Sequence, residues 1–495
     1  MKLNYLNTTF YLTQCFLLYL LGLSACTQRS SDEVQISDRP NIVIIFADDM
    51  GYGDAGCYNP DSKIPTPHID RIAQNGVRFT DAHAPGAWCV PSRYGLMTGQ
   101  YPARTTLNWQ ERSLIEVGTP TLASLLQENG YYTSMIGKWH LGFDNVDWQN
   151  VNGEQRMEGG PVDRGFDEFF GMHASLDIPP YFYIENDRPV APPSDSIGDH
   201  QSENATTTIS GAFWRAGKIA PGFKHEEVLP TFTEKAVTFL NEHQQNSADT
   251  PFLLYLALTA PHTPWLPAAE FEGKSKAGEY GDFMAQVDHT VGQVVQTLET
   301  LELIDNTIVI FASDNGPVWF AEDEQKFDHE ATGLLRGMKV DLWEGGHRIP
   351  FVAQWPGKIP SGTVRDDLFC FTDLMATFAA VVGDTLPENA GEDSYNMLPV
   401  LMNKSLSQSI RNELLIQDRV MRVGEWKLIQ GSGLGTLSER FGNVQAEPDA
   451  DGELYNLSDD LSEQHNRYEE FPEKVKELSG KLEKFAAVKS ASPLP

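Results

Sequence analysis

Cys89 stands in the pentapeptide Cys89-Val90-Pro91-Ser92-Arg93, followed by Leu96-Met97-Thr98-Gly99. At average residue usage a Cys-x-Pro-Ser-Arg frame arises by chance in only about one in a thousand chains of this length. A small cysteine packed in a loop is the ordinary reading of a lone thiol, but that role needs no such frame. Asp48-Asp49 and Asp314-Asn315 form an all-oxygen set, the donor chemistry of a hard divalent cation such as Ca²⁺ or Mg²⁺. One acidic pair alone more often caps a helix or faces water; two pairs at equivalent strand ends point to a shared ligand. Lys138 and His140 lie in Gly137-Lys138-Trp139-His140-Leu141-Gly142, and His262 in Ala260-Pro261-His262-Thr263-Pro264. Lys339 lies in Leu335-Arg336-Gly337-Met338-Lys339, ahead of Trp343-Glu344-Gly345-Gly346-His347-Arg348-Ile349-Pro350. A single lysine is ordinarily solvated and a single histidine ordinarily satisfied. Gathered at one point, such groups hold an anionic ester and move its protons.

Four apolar, β-branched runs are placed to do the gathering. Asn41 to Ala47 runs into Asp48-Asp49, Thr307 to Ala312 into Asp314-Asn315, Phe252 to Leu258 toward His262, and Tyr132 to Ile136 toward Lys138 and His140. None alternates with period two, so each reads as a strand buried on both faces, as in a parallel sheet covered by helices. In such a sheet ligands bind beyond the carboxyl ends of the strands, which predicts one common site. Thr119-Pro120 predicts a helix start with Leu122, Leu125 and Leu126 facing inward, and Met284, Val287, Val291, Val294 and Leu298 trace another helical stripe. Beyond a boundary near Gly383 to Gly391, Glu413 to Ile416, Arg419 to Arg422 and Trp426 to Ile429 predict short antiparallel strands, and Phe471 to Phe485 a terminal helix. The fold class expected is α/β: a large, mostly parallel central sheet flanked by helices over 40–385, with a smaller α+β subdomain holding an antiparallel sheet over 386–495.

The chain has 495 residues and a formal net charge of −32. That field repels nucleic acid and anionic membranes, so an anionic substrate needs a locally basic pocket. Lys2 precedes an apolar run, Phe16 to Leu23, too short to span a bilayer but suited to a secretory signal over 1–25. It ends in Leu23-Ser24-Ala25-Cys26, which resembles the bacterial lipoprotein signal and implies a lipid on Cys26; a plain signal peptide cut near Ala25 is the alternative. The polar stretch 26–39 reads as a tether. With Cys15 removed and Cys26 lipidated, Cys57 and Cys370 lie far apart in the sequence and are expected as unpaired thiols, a bridge between them being the alternative.

The Cys89 pentapeptide resembles the maturation signal of the type I sulfatases of the alkaline phosphatase superfamily, whose motif cysteine is oxidised to Cα-formylglycine. The resemblance implies a formylglycine-generating maturation enzyme as partner, with Pro91 and Arg93 in its recognition frame. It also implies that Asp48, Asp49, Asp314, Asn315 and the converted Cys89 hold one Ca²⁺. Arg93 would hold the activated aldehyde hydrate, and Lys138 and Lys339 the sulfate oxygens. His262 would protonate the leaving oxygen and His140 assist hydrate collapse. One hydroxyl of the hydrate would attack sulfur, and deprotonating the other would expel sulfate by C–O cleavage. Met338 and Val340-Asp341-Leu342 depart from the family pattern around Lys339, which suggests a reshaped pocket wall. Glu453-Leu454-Tyr455-Asn456-Leu457 resembles a segment common near the family's carboxyl end.

The expected substrate is a sulfated polysaccharide or oligosaccharide. Asp177, Tyr183 and Glu185, in a polar and aromatic stretch, and Arg215 and His225, in a locally cationic segment, are candidates for a sugar subsite. Two other readings stay open at this point. One is a phosphate or phosphonate monoester hydrolase of the same superfamily. The other is a noncatalytic glycan-binding lipoprotein that keeps Cys89 as a thiol.

Overall fold

Each of the four apolar runs forms a strand that extends to the polar residue at its end: β1 (Asn41–Asp48), β2 (Tyr132–Lys138), β3 (Phe252–Pro261) and β4 (Thr307–Ser313). The computed structural model describes residues 39–491, except 155, 204, 405 and 443–450. The signal segment, Cys26 and most of the tether lie outside the described residues. β1 pairs in parallel with β3 on one side and β4 on the other, and β3 pairs in parallel with β2. These four are the middle of a ten-stranded sheet. Its remaining strands include parallel Glu168–Met172 beside β2 and antiparallel Phe351–Gln354 beside β4.

Every residue of β1 is buried, as continuous apolar runs demand when helices cover both faces. Period two decides which helices each side chain meets. Val43, Ile45, Leu254, Leu256, Val309 and Phe311 pack into one cluster with Phe232, Ala236 and Leu240 of a helix Val228–Asn246, and with Met284, Val287, Val291, Val294 and Leu298 of a helix Gly278–Thr300. The predicted apolar stripe is therefore the inner face of that second helix. The Leu122–Glu128 helix begins two residues later than expected. Thr121 is its cap, with Oγ1 accepting from Ser124 N at 3.0 Å and Ser124 Oγ accepting from Thr121 N at 2.8 Å, so Pro120 precedes the cap.

The carboxyl-terminal part carries a four-stranded antiparallel sheet, Glu413–Ile416, Val420–Val423, Trp426–Gln430 and Gly452–Asn456, and a helix Pro472–Ala491. The fourth strand contains the Glu453-Leu454-Tyr455-Asn456 segment. This sheet is part of one compact unit spanning Asp38–Pro495, so the boundary near Gly383 separates sheets and not independent bodies. Among the described residues, Cys57, Cys89 and Cys370 are free thiols. None of the described helices is long and apolar enough to cross a membrane.

Candidate active site

Sheet order brings the ends of β2, β3, β1 and β4 side by side, and the chain turns there. Asp48 is the last residue of β1, and Asp49 adopts a left-handed backbone with φ 66°. Asp314 and Asn315 follow β4, Lys138 closes β2, His140 sits two residues on with φ 59°, and His262 follows β3. Cys89 is the first residue of α1 (Cys89–Thr98), and Arg93 lies one turn further along it. The thiol therefore stands at a helix amino terminus, where free N–H groups and the dipole favour negative charge.

All of these side chains are buried, and all but His140 are linked to one another by polar contacts. Cys89 Sγ is 3.4 Å from Asp48 Oδ1 and 3.4 Å from Lys339 Nζ. Lys138 Nζ donates to Asp48 Oδ2 at 2.7 Å, and Lys339 Nζ to Asp49 Oδ2 at 2.8 Å. Arg93 grips Asp314 Oδ2 through Nε at 3.1 Å and Nη2 at 2.8 Å, while its Nη1 donates to Lys138 O at 3.0 Å. Asn315 Nδ2 donates to Asp49 Oδ1 at 2.7 Å. His262 turns Nε2 toward Asp49 Oδ2 at 3.6 Å, and its Nδ1 is 2.6 Å from Thr263 O. Both ring nitrogens of His140 are buried without a partner.

Burial alone would raise the Asp48 carboxyl, but Lys138, then His262, Arg93 and Lys339, hold it well below the usual carboxylate range. Asp314 is pushed up to about 7, by burial first and then by Asp48. Burial also raises the Cys89 thiol, more than Lys138 and Lys339 lower it. An unconverted Cys89 is thus a neutral thiol and a poor nucleophile. His140 is driven well below its ordinary value by burial, then by Lys138 and Arg93, and so is a neutral acceptor.

The donors fit a hard divalent cation. Asp48, Asp49 and Asp314 crowd three carboxylates into one buried spot, and the buried Asn315 Oδ1 beside them accepts no hydrogen bond. Asp48, Asp49, Cys89 and His262 each offer one ligand atom, all within 4.8 Å of one another. Oxygen donors in such density suit Ca²⁺ or Mg²⁺.

Of the expected sugar-subsite residues, two stand beside this cluster. Asp177 Oδ1 is 4.0 Å from His262 Nδ1 and has no hydrogen-bond partner, and its Oδ2 pairs with Arg215. His225 joins them indirectly: its ring packs on Tyr181 at 4.5 Å, and Tyr181 Oη donates to Arg215 O at 2.7 Å. Tyr183 and Glu185 are placed differently from the expectation. Tyr183 stacks on Phe170 at 5.2 Å and meets Phe223 and Phe232, so it belongs to the core margin. Glu185 is exposed on a short outer strand, 4.0 Å from Lys235. Alternation along Tyr181 to Glu185 does not carry every polar residue to one pocket.

The sulfatase family model matches residues 40–384, which contain every one of these side chains. The chain belongs to the sulfatase family. It is 36% identical over 506 aligned positions to an N-acetylgalactosamine-6-O-sulfatase of Bacteroides thetaiotaomicron, covering 93% of this chain and 96% of that relative. Human arylsulfatase A is 34% identical over 380 positions, covering 75% of this chain and 70% of that one. A solved chain from work on the metabolism of multiple glycosaminoglycans by Bacteroides thetaiotaomicron superposes with a TM-score of 0.79 at 34% identity, covering 91% of this chain and 99% of its own.

The sulfatase also places near the site residues that no motif or spacing singles out. Trp109 meets His140 edge-on at 4.4 Å, and Trp148 packs on His173 at 4.5 Å. Both sit in loops, where spacing carries no periodic signal; an aromatic in an otherwise polar loop was the available hint. Val340, one of the departures around Lys339, has φ 76° and donates its N–H to Ala87 O at 2.6 Å, tying the lysine loop to the segment just before Cys89. His347 and Arg348 belong to a second buried cluster. His83, Glu344 and His347 lie together there with Asp81, Arg348, Arg422 and Lys427. Its acids are matched by three permanent cations, so it reads as a clamp between the sheets and not as a second cation site.

Proposed function

We propose that this sulfatase removes sulfate from a sulfated glycan, with Cys89 matured to Cα-formylglycine and one Ca²⁺ held by Asp48, Asp49, Asp314 and Asn315. The observation that carries the reading is the meeting of Cys89, three carboxylates, Lys138, Lys339, His140 and His262 at the ends of four adjacent strands. When present, the matured side chain supplies the nucleophilic oxygen for sulfur, and the cation polarises a sulfate oxygen. Cys89 Sγ stands for the atom that maturation replaces.

The chain's own residues divide the remaining work. Lys138, paired with Asp48, and Lys339, paired with Asp49 and beside Cys89, hold nonbridging sulfate oxygens, a preorganised cationic clamp in a buried site. Arg93, locked on Asp314, fixes the matured residue from behind. His262 serves the leaving oxygen as the imidazolium: Nδ1–H donates to Thr263 O, and the second proton, on Nε2, is the one passed to the leaving oxygen, which leaves the ring neutral. His140, neutral and unpartnered, accepts the proton released as the site resets. Asp177, with Arg215 and His225 behind it, offers an unused carboxylate oxygen to a sugar hydroxyl next to His262. The Bacteroides relative's name makes 6-O-sulfated N-acetylgalactosamine the first substrate to try. Export as a lipoprotein anchored through Cys26 belongs to the same proposal and rests on Leu23-Ser24-Ala25-Cys26.

Two measurements test the reading. The tryptic peptide Phe79–Arg93, from protein made with a maturation enzyme present, is expected to carry an aldehyde or its hydrate at position 89. A fully alkylatable thiol in active protein refutes it. On defined oligosaccharides, kcat/KM is expected to exceed that for the matched phosphate esters by orders of magnitude; equal values would return the phosphate reading.

A further inference from the structure

The mechanism leaves unused a buried polar group directly behind Asp49. Asp54, Tyr280 and His329 are all buried, and they come from the turn after β1, the Gly278–Thr300 helix and the loop before Lys339. His329 Nε2 is 2.8 Å from Asp54 Oδ1. Lys63 N donates toward His329 Nδ1 at 3.5 Å, which leaves Nε2 as the nitrogen that donates to Asp54. Tyr280 Oη donates to Asp54 Oδ2 and lies 3.2 Å from Asp49 O. The same Oδ2 accepts from Gly51 N at 2.7 Å. The network thus ties the turn after Asp49 down at the Gly51 amide, and the Tyr280 hydroxyl, whose one proton goes to Asp54, packs against the Asp49 carbonyl.

Asp49 needs such support. Its φ of 66° is the left-handed region, uncommon for a non-glycine residue and kept here by its surroundings. Its side chain is also the hub on which Lys339, Asn315 and His262 converge. The turn has no freedom to relax on its other side, because a Cβ on Gly51 would lie 2.0 Å from Ala331 O and one on Gly53 would lie 2.3 Å from Glu330 O.

We infer that Asp54, with Tyr280 and His329, is the positioning unit for Asp49 and sets how tightly the cation is held. This rests on the reading of Asp49 as a cation ligand. Groups that orient a metal ligand typically contribute 10- to 100-fold to affinity. The test is competition between the Ca²⁺-loaded protein and a chromophoric chelator, for wild type, Tyr280→Phe and Asp54→Asn. Both variants are expected to bind Ca²⁺ 10- to 100-fold more weakly, to regain kcat on an aryl sulfate in saturating Ca²⁺, and to show little change in KM. A merely structural role would lower the melting temperature and leave affinity alone. Affinity within twofold of wild type in Tyr280→Phe overturns the inference, and so does failure of both variants to fold, because the network would then serve the whole fold. A wild-type protein that binds no divalent cation overturns the cation reading and this inference with it.

Discussion

Replacing Cys89 by alanine separates what the residue does for the fold from what it does for turnover. The side chain is buried, yet Sγ makes only two polar contacts, both at 3.4 Å, to Asp48 and Lys339. Those acids and cations keep their shorter contacts with one another, at 2.7 and 2.8 Å, so no charge is orphaned. Losing one heavy atom from a packed position costs about 1 kcal/mol. Cys89→Ala is therefore expected to melt within a few degrees of wild type. Turnover is a different matter, because deleting the nucleophile of an otherwise intact site lowers kcat on the order of 10⁶-fold, about 8 kcal/mol of barrier. The assay is initial-rate hydrolysis of an aryl sulfate and of a sulfated sugar, beside thermal unfolding of the same preparation. Turnover within tenfold of wild type would refute the role given to position 89. A variant that fails to fold would refute the claim that Sγ carries little of the local packing.

Gly137 precedes Lys138 on β2 with φ 121°, and an added Cβ would lie 1.8 Å from Ala257 O; Gly137→Ala is expected to cost about 3 kcal/mol, read as a lowered melting temperature together with lost activity. Arg411 is buried against Asp373, with Nε at 2.9 Å from Oδ2, and also donates to Asp393 O at 2.7 Å; Arg411→Met leaves that carboxylate unpaired and is expected to cost about 3 to 5 kcal/mol in denaturant unfolding. His173 and His225 are both held neutral by burial, each pushed down to about 4. The unfolded chain takes up protons near pH 6.5 that the folded chain refuses until about pH 4, so stability is lost as pH falls through that window, by about 3 kcal/mol per histidine at most. Melting temperatures from pH 7 to 4 check this, and replacing both residues with glutamine is expected to flatten the decline.

Much of the site was legible because its residues sit next to features with strong local signals. β1 and β4 are unbroken apolar runs, and an acid after such a run can only lie at a strand's carboxyl end. Cys89 and Arg93 were legible as one motif; that they share one turn of a helix is seen only in the structure. The surroundings expected to form a subsite were less legible. Asp177 and Tyr183 lie six residues apart in the same stretch, yet one stands 4.0 Å from His262 and the other is stacked on Phe170. No repeat links a loop residue to the wall it faces. Asp54 was passed over for a related reason: its partners Tyr280 and His329 lie 226 and 275 residues away in the chain. A buried network assembled from three distant segments has no spacing to read.

The carboxyl-terminal sheet was expected as a smaller appendage, but its contacts give it a part in the chemistry. The loop that carries Lys339 has almost no structure of its own, and the carboxyl-terminal segments supply it. Leu342 N donates to Gly433 O at 2.7 Å, and Asp341 Oδ1 accepts from Gly435 N at 2.6 Å. Trp343 Nε1 donates to Glu453 Oε2 at 2.6 Å, and Glu344 N to Glu463 Oε2 at 2.6 Å. Lys427 Nζ reaches Glu344 Oε1 at 3.0 Å, and Arg422 Nη2 reaches Asp81 Oδ2 at 2.7 Å. These bonds hold a loop in which Val340 keeps a left-handed backbone that a β-branched residue adopts only under constraint. Lys339 Nζ is thereby fixed against Asp49 and Cys89 by a sheet that contributes no residue to the site itself. Shortening the chain before the Gly452–Asn456 strand would remove Glu453 and Glu463 and is expected to free the loop and withdraw the Lys339 ammonium group from Asp49 and Cys89, read as lost turnover of an aryl sulfate. The four strand ends can gather acids and imidazoles unaided, but the second cationic wall depends on the far end of the chain.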